Sequence, residues 1–116
     1  MRVLVCGGRY YHDWYGVFRA LREIHYKNKI TLLISGMARG IDTQAVSWAR
    51  RNGVPVFAFP AQWGRFYRKA GPIRNQLMLD IGKPDLVVQF PGAWGTYDMV
   101  RRAEKAKIKV HSVYGY

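Results

Sequence analysis

The sequence predicts an α/β fold of the Rossmann-like, three-layer kind: one domain over residues 1–116, with a parallel sheet of about five strands and helices on both faces. Three observations carry this. Short apolar runs alternate with stretches of helical period from end to end. The runs Val3 to Val5, Leu32 to Ile34 and Leu86 to Val88 are apolar at every position, as strands covered on both faces must be. The connections are short, which suits right-handed strand–helix–strand crossovers.

Arg2 to Cys6 reads as the first strand, stopped by Gly7-Gly8. Asp13 is placed to cap a helix through about Tyr26, with Val17, Leu21 and Ile24 on one face beside Phe18 and His25. Ile30 to Ile34 is the second strand, ended by Ser35-Gly36. A helix from about Gly40 to Asn52 turns Ile41, Ala45, Trp48 and Ala49 inward, and Gly53 closes it. Val54 to Phe59 is the third strand. Ala61 to Gly71 has no clean period and reads as a loop or irregular insert. Pro72 fits the first turn of a helix whose Ile73, Leu77, Met78 and Ile81 line one side, ended by Gly82. Asp85 to Phe90 is the fourth strand, about Thr96 to Lys107 the last helix, and Lys109 to Val113 a fifth strand at an edge. The first strand is expected at the centre, with the third and fifth outermost, because these are the most polar or Pro-flanked.

An apolar fraction of 49% supports a folded core. No apolar run approaches the ~20 residues of a membrane helix, and Met1 to Cys6 is too short for a signal peptide. Cys6 is the single cysteine, so no internal disulfide forms. It reads as a small buried hydrophobe, and a reducing, cytoplasmic compartment is the simplest home. Nineteen Lys and Arg against seven Asp and Glu give a formal net charge of +12. Such a field attracts nucleotides, nucleic acids or acidic surfaces, or simply keeps the protein soluble. Trp48, Trp63, Trp94 and several tyrosines exceed what one small core buries, so a homo-oligomer is expected.

In an open parallel sheet, ligands bind beyond the carboxyl ends of the strands. Three turns at that edge are rich in glycine: Gly7-Gly8-Arg9, Ser35 to Gly40, and Pro91 to Thr96. Glycine lets the backbone approach a phosphate, and a helix start offers free N–H groups and partial positive charge. Arg9 and Arg39 stand beside these turns. Thr96 adds a hydroxyl or serves as an N-cap. Arg74, near a helix start, opposes the helix dipole, which points to a salt bridge or an anion ligand. Gln62 to Lys69 mixes aromatics with cations, as a base-stacking surface or a loop pinned by buried aromatics would. Asp98, Arg101, Arg102, Glu104 and Lys105 read as a solvated face, with Asp98 and Arg102 an i,i+4 pair. No G-x-G-x-x-G follows the first strand, no P-loop signature occurs, and Ser35 lacks the setting of a hydrolase nucleophile. His12, His25 and His111 are scattered, so neither a metal nor a cofactor is expected.

Taken in order, Cys6-Gly7-Gly8-Arg9, Gly36-Met37-Ala38-Arg39-Gly40-Ile41-Asp42, Pro60-Ala61-Gln62-Trp63, Ala70-Gly71-Pro72-Ile73-Arg74-Asn75 and Pro91-Gly92-Ala93-Trp94-Gly95-Thr96 resemble the YspA-like, cpYpsA-related branch of the SLOG superfamily. The likeness spans nearly the whole chain. It implies a small Rossmann-like domain, distantly similar to the Lonely Guy phosphoribohydrolases and to DNA-processing protein A, in a superfamily that includes sensors of nucleotide-derived signals in bacterial and phage conflict systems. The Lonely Guy enzymes carry P-G-G-x-G-T-x-x-E, with the glutamate serving N-glycosidic cleavage. Here Ala93 replaces the second glycine and Met99 stands at the glutamate position, with Asp98 one residue away. The resemblance therefore carries over binding better than catalysis.

Turns and resemblance together put a nucleotide-like ligand on Gly7, Gly8, Arg9, Ser35, Gly36, Ala38, Arg39, Gly40, Asp42, Trp63, Arg74, Asn75, Pro91, Gly92, Gly95 and Thr96. Three readings stay open. The first is a sensor or sponge for a nucleotide or nucleotide-derived phosphate. The second is a nucleotide N-glycosidic-bond hydrolase using Asp42 or Asp98. The third is a nucleic-acid binder.

Overall fold

A computed structural model describes residues 1–66 and 69–114. Their elements run β1 (Arg2–Cys6), α1 (Trp14–Lys27), β2 (Leu32–Ser35), α2 (Ile41–Arg51), β3 (Val56–Ala58), α3 (Trp63–Phe66), α4 (Ala70–Asp80), β4 (Leu86–Gln89), α5 (Trp94–Lys105) and β5 (Lys109–Ser112). Every strand pairing is parallel, and the order is β3-β2-β1-β4-β5. β1 is central and the short third and fifth strands are outermost, as the apolar pattern predicts.

The pleat of β1 divides the interior into two cores. Val3 and Val5 point to one face and pack with Val17 and Leu21 of α1 and Ile41, Ala45, Trp48 and Ala49 of α2. Leu4 and Cys6 point to the other and pack with Met78 and Leu79 of α4 and Met99 and Ala103 of α5. Each fully buried Val or Leu of this kind contributes roughly 1.5–3 kcal/mol, which is why the middle positions of the central strands are apolar. Trp48, counted above among the surplus aromatics, is only 2% exposed and belongs to the first core. The His25 ring packs against it in a T-shaped contact, and His25 Nδ1 accepts the Ile30 N–H. The surplus is therefore Trp14, Trp63 and Trp94.

Asp13 caps α1, its Oδ1 accepting the Gly16 N–H at 3.0 Å. Gly53 closes α2 with φ +67°. Three expectations need correction. The stretch from Ala61 to Gly71 is not irregular throughout: it holds α3 and the start of α4. α3 buries no residue, so it has no apolar period to read. Leu77 of α4 and Ile81 at its C-cap are exposed, and the buried residues of the helix are Ala70, Gly71, Asn75, Met78 and Leu79. Asn75 takes an inward position because it has polar partners there. α5 begins at Trp94, two residues before the expected start, with Ala93 as its N-cap.

Candidate functional site

β1 pairs with β2 on one side and β4 on the other, and the chain leaves this point in opposite directions. Beyond the carboxyl ends of these strands opens a cleft of about 700 Å³, within the range of small-molecule sites. Its walls are held by backbone contacts between distant turns. The Gly8 N–H donates to the Pro91 carbonyl at 2.8 Å, and the Ile41 N–H donates to the Gly8 carbonyl at 3.3 Å. Buried Gln44 fastens the loop before α1: its Nε2 donates to the Tyr11 carbonyl and its Oε1 accepts the Asp13 N–H. Gly7 lies directly on Ile41, where a Cβ would come within 2.6–2.8 Å of that side chain. Gly40 has φ +72° and lies against the Gly8–Arg9 backbone, so both conformation and space require glycine there.

The N-terminus of α5 is the open donor group of the cleft. Ala93 supplies no side-chain cap, and the first helical bond is Tyr97 N–H to the Ala93 carbonyl at 3.0 Å. The N–H groups of Trp94, Gly95 and Thr96 thus have no acceptor within the helix, and all three residues line the cleft. Thr96 is the buried third residue of the helix, not its cap. The backbone of Gly92 comes so close to Gly8 that a Cβ would lie 2.9 Å from the Gly8 nitrogen.

Arg74 reaches across from α4. Its Nη1 donates to the Gly36 carbonyl at 2.6 Å and its Nε to Asn75 Oδ1 at 3.0 Å. Burial pushes its pKa down; the charge of Asp42 works the other way and that of Arg9 adds to the lowering. Asp42, in the first turn of α2, is 7% exposed and accepts the Ala38 N–H at 3.1 Å. Burial raises its carboxyl from 3.8 to about 6, although the Ala38 N–H and the Arg74 guanidinium both favour the ionised form. Burial, with Asp42 adding to it, also pushes the Cys6 thiol well up. The thiol is therefore inert as a nucleophile at neutral pH.

A second carboxylate, Asp98 of α5, is fixed by two donors on one oxygen. Its Oδ2 accepts from Asn75 Nδ2 and from Arg102 Nε, each at 2.9 Å. Arg102 Nη1 in turn donates to Gln76 Oε1, and Asn75 Nδ2 also reaches the Gly95 carbonyl. Arg102 is thus part of a network between α4 and α5, not simply of a solvated face. Met99 is 1% exposed and forms part of the cleft wall.

The residues predicted from sequence meet in this cleft with four exceptions. Gly7, Gly8, Arg9, Ala38, Asp42, Trp63, Arg74, Asn75, Pro91, Gly92, Gly95, Thr96 and Asp98 line it. Ser35 lies behind the loop, its Oγ accepting the Met37 N–H. Gly36 contributes the carbonyl that holds Arg74, Gly40 is buried under the Gly8–Arg9 turn, and Arg39 is exposed away from the lining. The turn from Ser35 to Gly40 spends two of its N–H groups on the side chains of Ser35 and Asp42, unlike the start of α5. The cleft also gathers Tyr10 and Trp94, 82% and 66% exposed. Neither was predicted; the signal was an aromatic directly beside each glycine turn. Within the segment Gln62 to Lys69, Tyr67 and Arg68 lie outside the described residues.

The chain is similar to DNA processing protein A (DprA) from Streptococcus pneumoniae, with a TM-score of 0.78 at 21% sequence identity. The superposition covers 99% of this chain and 50% of that one, so the chain spans about half the length of DprA. At that identity the likeness is one of fold. No curated protein matches the sequence. A family profile, that of the YspA, cpYpsA-related SLOG family, matches residues 1–66. Since that match takes in more than half of the sequence, β1 and the first two glycine turns among it, the chain belongs to the YspA, cpYpsA-related SLOG family.

Proposed function

We propose that the cleft binds a nucleotide or a nucleotide-derived phosphate, as a sensor or sponge. The phosphate sits on the open N–H groups of α5 and the Gly92 backbone, with Arg74 and Arg9 as counter-ions and the base against an aromatic of the rim. One observation carries this reading: a single cleft brings together an uncapped helix start, two arginines and exposed aromatic rings. Membership of the SLOG family supports it. Calorimetry with adenosine monophosphate tests it. A charged hydrogen bond contributes roughly 1.5–3 kcal/mol, so Arg74→Ala or Arg9→Ala weakens binding about tenfold or more. Arg22→Ala, on the exposed face of α1, changes it little because solvent screens that charge. Equal losses in all three variants would replace the pocket with a diffuse basic surface.

A second reading, hydrolysis of a nucleotide N-glycosidic bond, is favoured by the fixed carboxylate of Asp98 at the cleft wall. It is opposed by Met99, which offers no acid, base or nucleophile. Little or no free base is therefore expected from adenosine monophosphate and its N6-substituted analogues. Rapid release, abolished by Asp98→Asn, would establish the enzyme instead.

A further inference from the structure

We infer that the ligand continues out of the cleft along the outer face of α5, so that the unit recognised is two nucleosides joined through phosphate. This rests on the nucleotide reading of the cleft. Trp94 stands at the cleft, 66% exposed. Tyr97, one turn further on and 53% exposed, lies beside it, the ring centroids 5.9 Å apart and the planes tilted by 37°. One more turn on, the Arg101 guanidinium lies 5.8 Å from the Tyr97 ring centroid. The spacing i, i+3, i+7 puts the three on one stripe of the helix, and neither Tyr97 nor Arg101 lines the cleft.

The fold does not need this stripe. α5 packs through Thr96, Met99 and Ala103, which are its buried residues. Among the described residues Arg101 has no carboxylate partner, whereas Arg102 is paired with Asp98. A row of ring, ring and guanidinium leading away from a phosphate site matches a row of base, base and phosphate. Aromatic faces take any base, and a guanidinium takes the next anion. The chain's net charge of +12 favours a ligand with more than one phosphate. A free dinucleotide and a segment of single-stranded nucleic acid both present this unit.

The test compares adenosine monophosphate, 5′-phosphorylated diadenylate and a short oligodeoxyadenylate on the full chain by calorimetry. Diadenylate should bind at least about fivefold tighter than the mononucleotide, the lower end expected for one stacked base. Tyr97→Ala and Arg101→Ala should each remove about fivefold or more of diadenylate affinity and leave mononucleotide affinity within about twofold. Tyr97→Phe should keep both. The oligonucleotide arm separates the sources. Binding as tight as diadenylate, falling steeply with salt, marks a single strand; its exclusion marks a free dinucleotide. If the mononucleotide binds through Arg74 but diadenylate binds no tighter, this inference fails and the nucleotide reading stands. If none of the three ligands binds, both fail. A change of oligomeric state in Tyr97→Ala would make the stripe a self-interface and overturn the inference.

Discussion

Asp42→Asn isolates the cost of keeping a carboxylate under the cleft. Burial holds the Asp42 carboxyl at about 6 instead of 3.8, which corresponds to roughly 3 kcal/mol against the ionised form. The folded chain binds this proton more tightly than the unfolded chain. The stability contributed by this group is therefore complete below 3.8, declines as pH rises, and is lost above about 6. Asparagine keeps an oxygen for the Ala38 N–H and cannot ionise. The variant should match the wild type near pH 4 and exceed it near neutrality by up to about 3 kcal/mol. Urea unfolding of both proteins across that range measures the difference, and groups shared by the two cancel. A difference that does not change with pH, or a wild type that gains on the variant as pH rises, would refute the reasoning. The same linkage reaches the cleft. The charged or titratable groups that act with Asp42 are Arg74 and the un-ionised Cys6 thiol, and Arg9 acts in turn on Arg74. Protonation of Asp42 removes a negative charge that acts on Arg74. The ligand's own phosphate also gains a proton near pH ~6, so the expected outcome is a difference: as pH falls toward about 6, phosphate affinity in the wild type should rise relative to that of Asp42→Asn.

Gly7→Ala should lower stability by about 1–3 kcal/mol, the usual cost of overpacking, because the new methyl would lie within 2.6–2.8 Å of Ile41. Thermal unfolding measures it; an unchanged midpoint would show that the Gly7–Ile41 contact gives way freely. Self-association through α1 is expected from Trp14, Tyr15 and Tyr26, which are 49%, 74% and 91% exposed and lie outside the main cleft. Light scattering at micromolar concentration should show more than a monomer, shifted toward the monomer by Trp14→Ser with Tyr15→Ser; a strict monomer in the wild type would end that reading.

The strands were legible because their physical requirement is local. A strand buried on both faces must be apolar at consecutive positions, and Val3 to Val5 and Leu86 to Val88 meet that rule with no tertiary information. The same reasoning set their order, since the runs flanked by Lys109 and Pro60 suit only edges. α4 defeated it because its inward position at Asn75 is polar. The partners that allow this, the Gly95 carbonyl and Asp98, lie twenty or more residues later and appear only when α4 meets α5. A period built on Leu77 and Ile81 therefore selected the solvent face.

The site divides along the same line. Glycine turns mark the carboxyl edge of the sheet in any sequence of this pattern, and all three of them do reach or support the cleft. Which turn keeps its N–H groups open is decided by side chains at short range in space. Ser35 and Asp42 close the second turn on itself, while Ala93 cannot close the third. Arg9 and Arg39 look alike in sequence, each beside a glycine turn. They differ because Ile41 donates to Gly8 and Gln44 ties down Tyr11, which holds the Arg9 loop at the cleft, whereas Arg39 stays exposed outside the lining. The charge that matters for an anion is thus selected by backbone bonds between turns and not by the arginines themselves. For the same reason Gln44→Ala should weaken phosphate binding without touching the ligand. It would free the Arg9 loop while leaving Arg74 on Gly36, so the loss should be smaller than in Arg74→Ala and absent when Arg9 is already alanine.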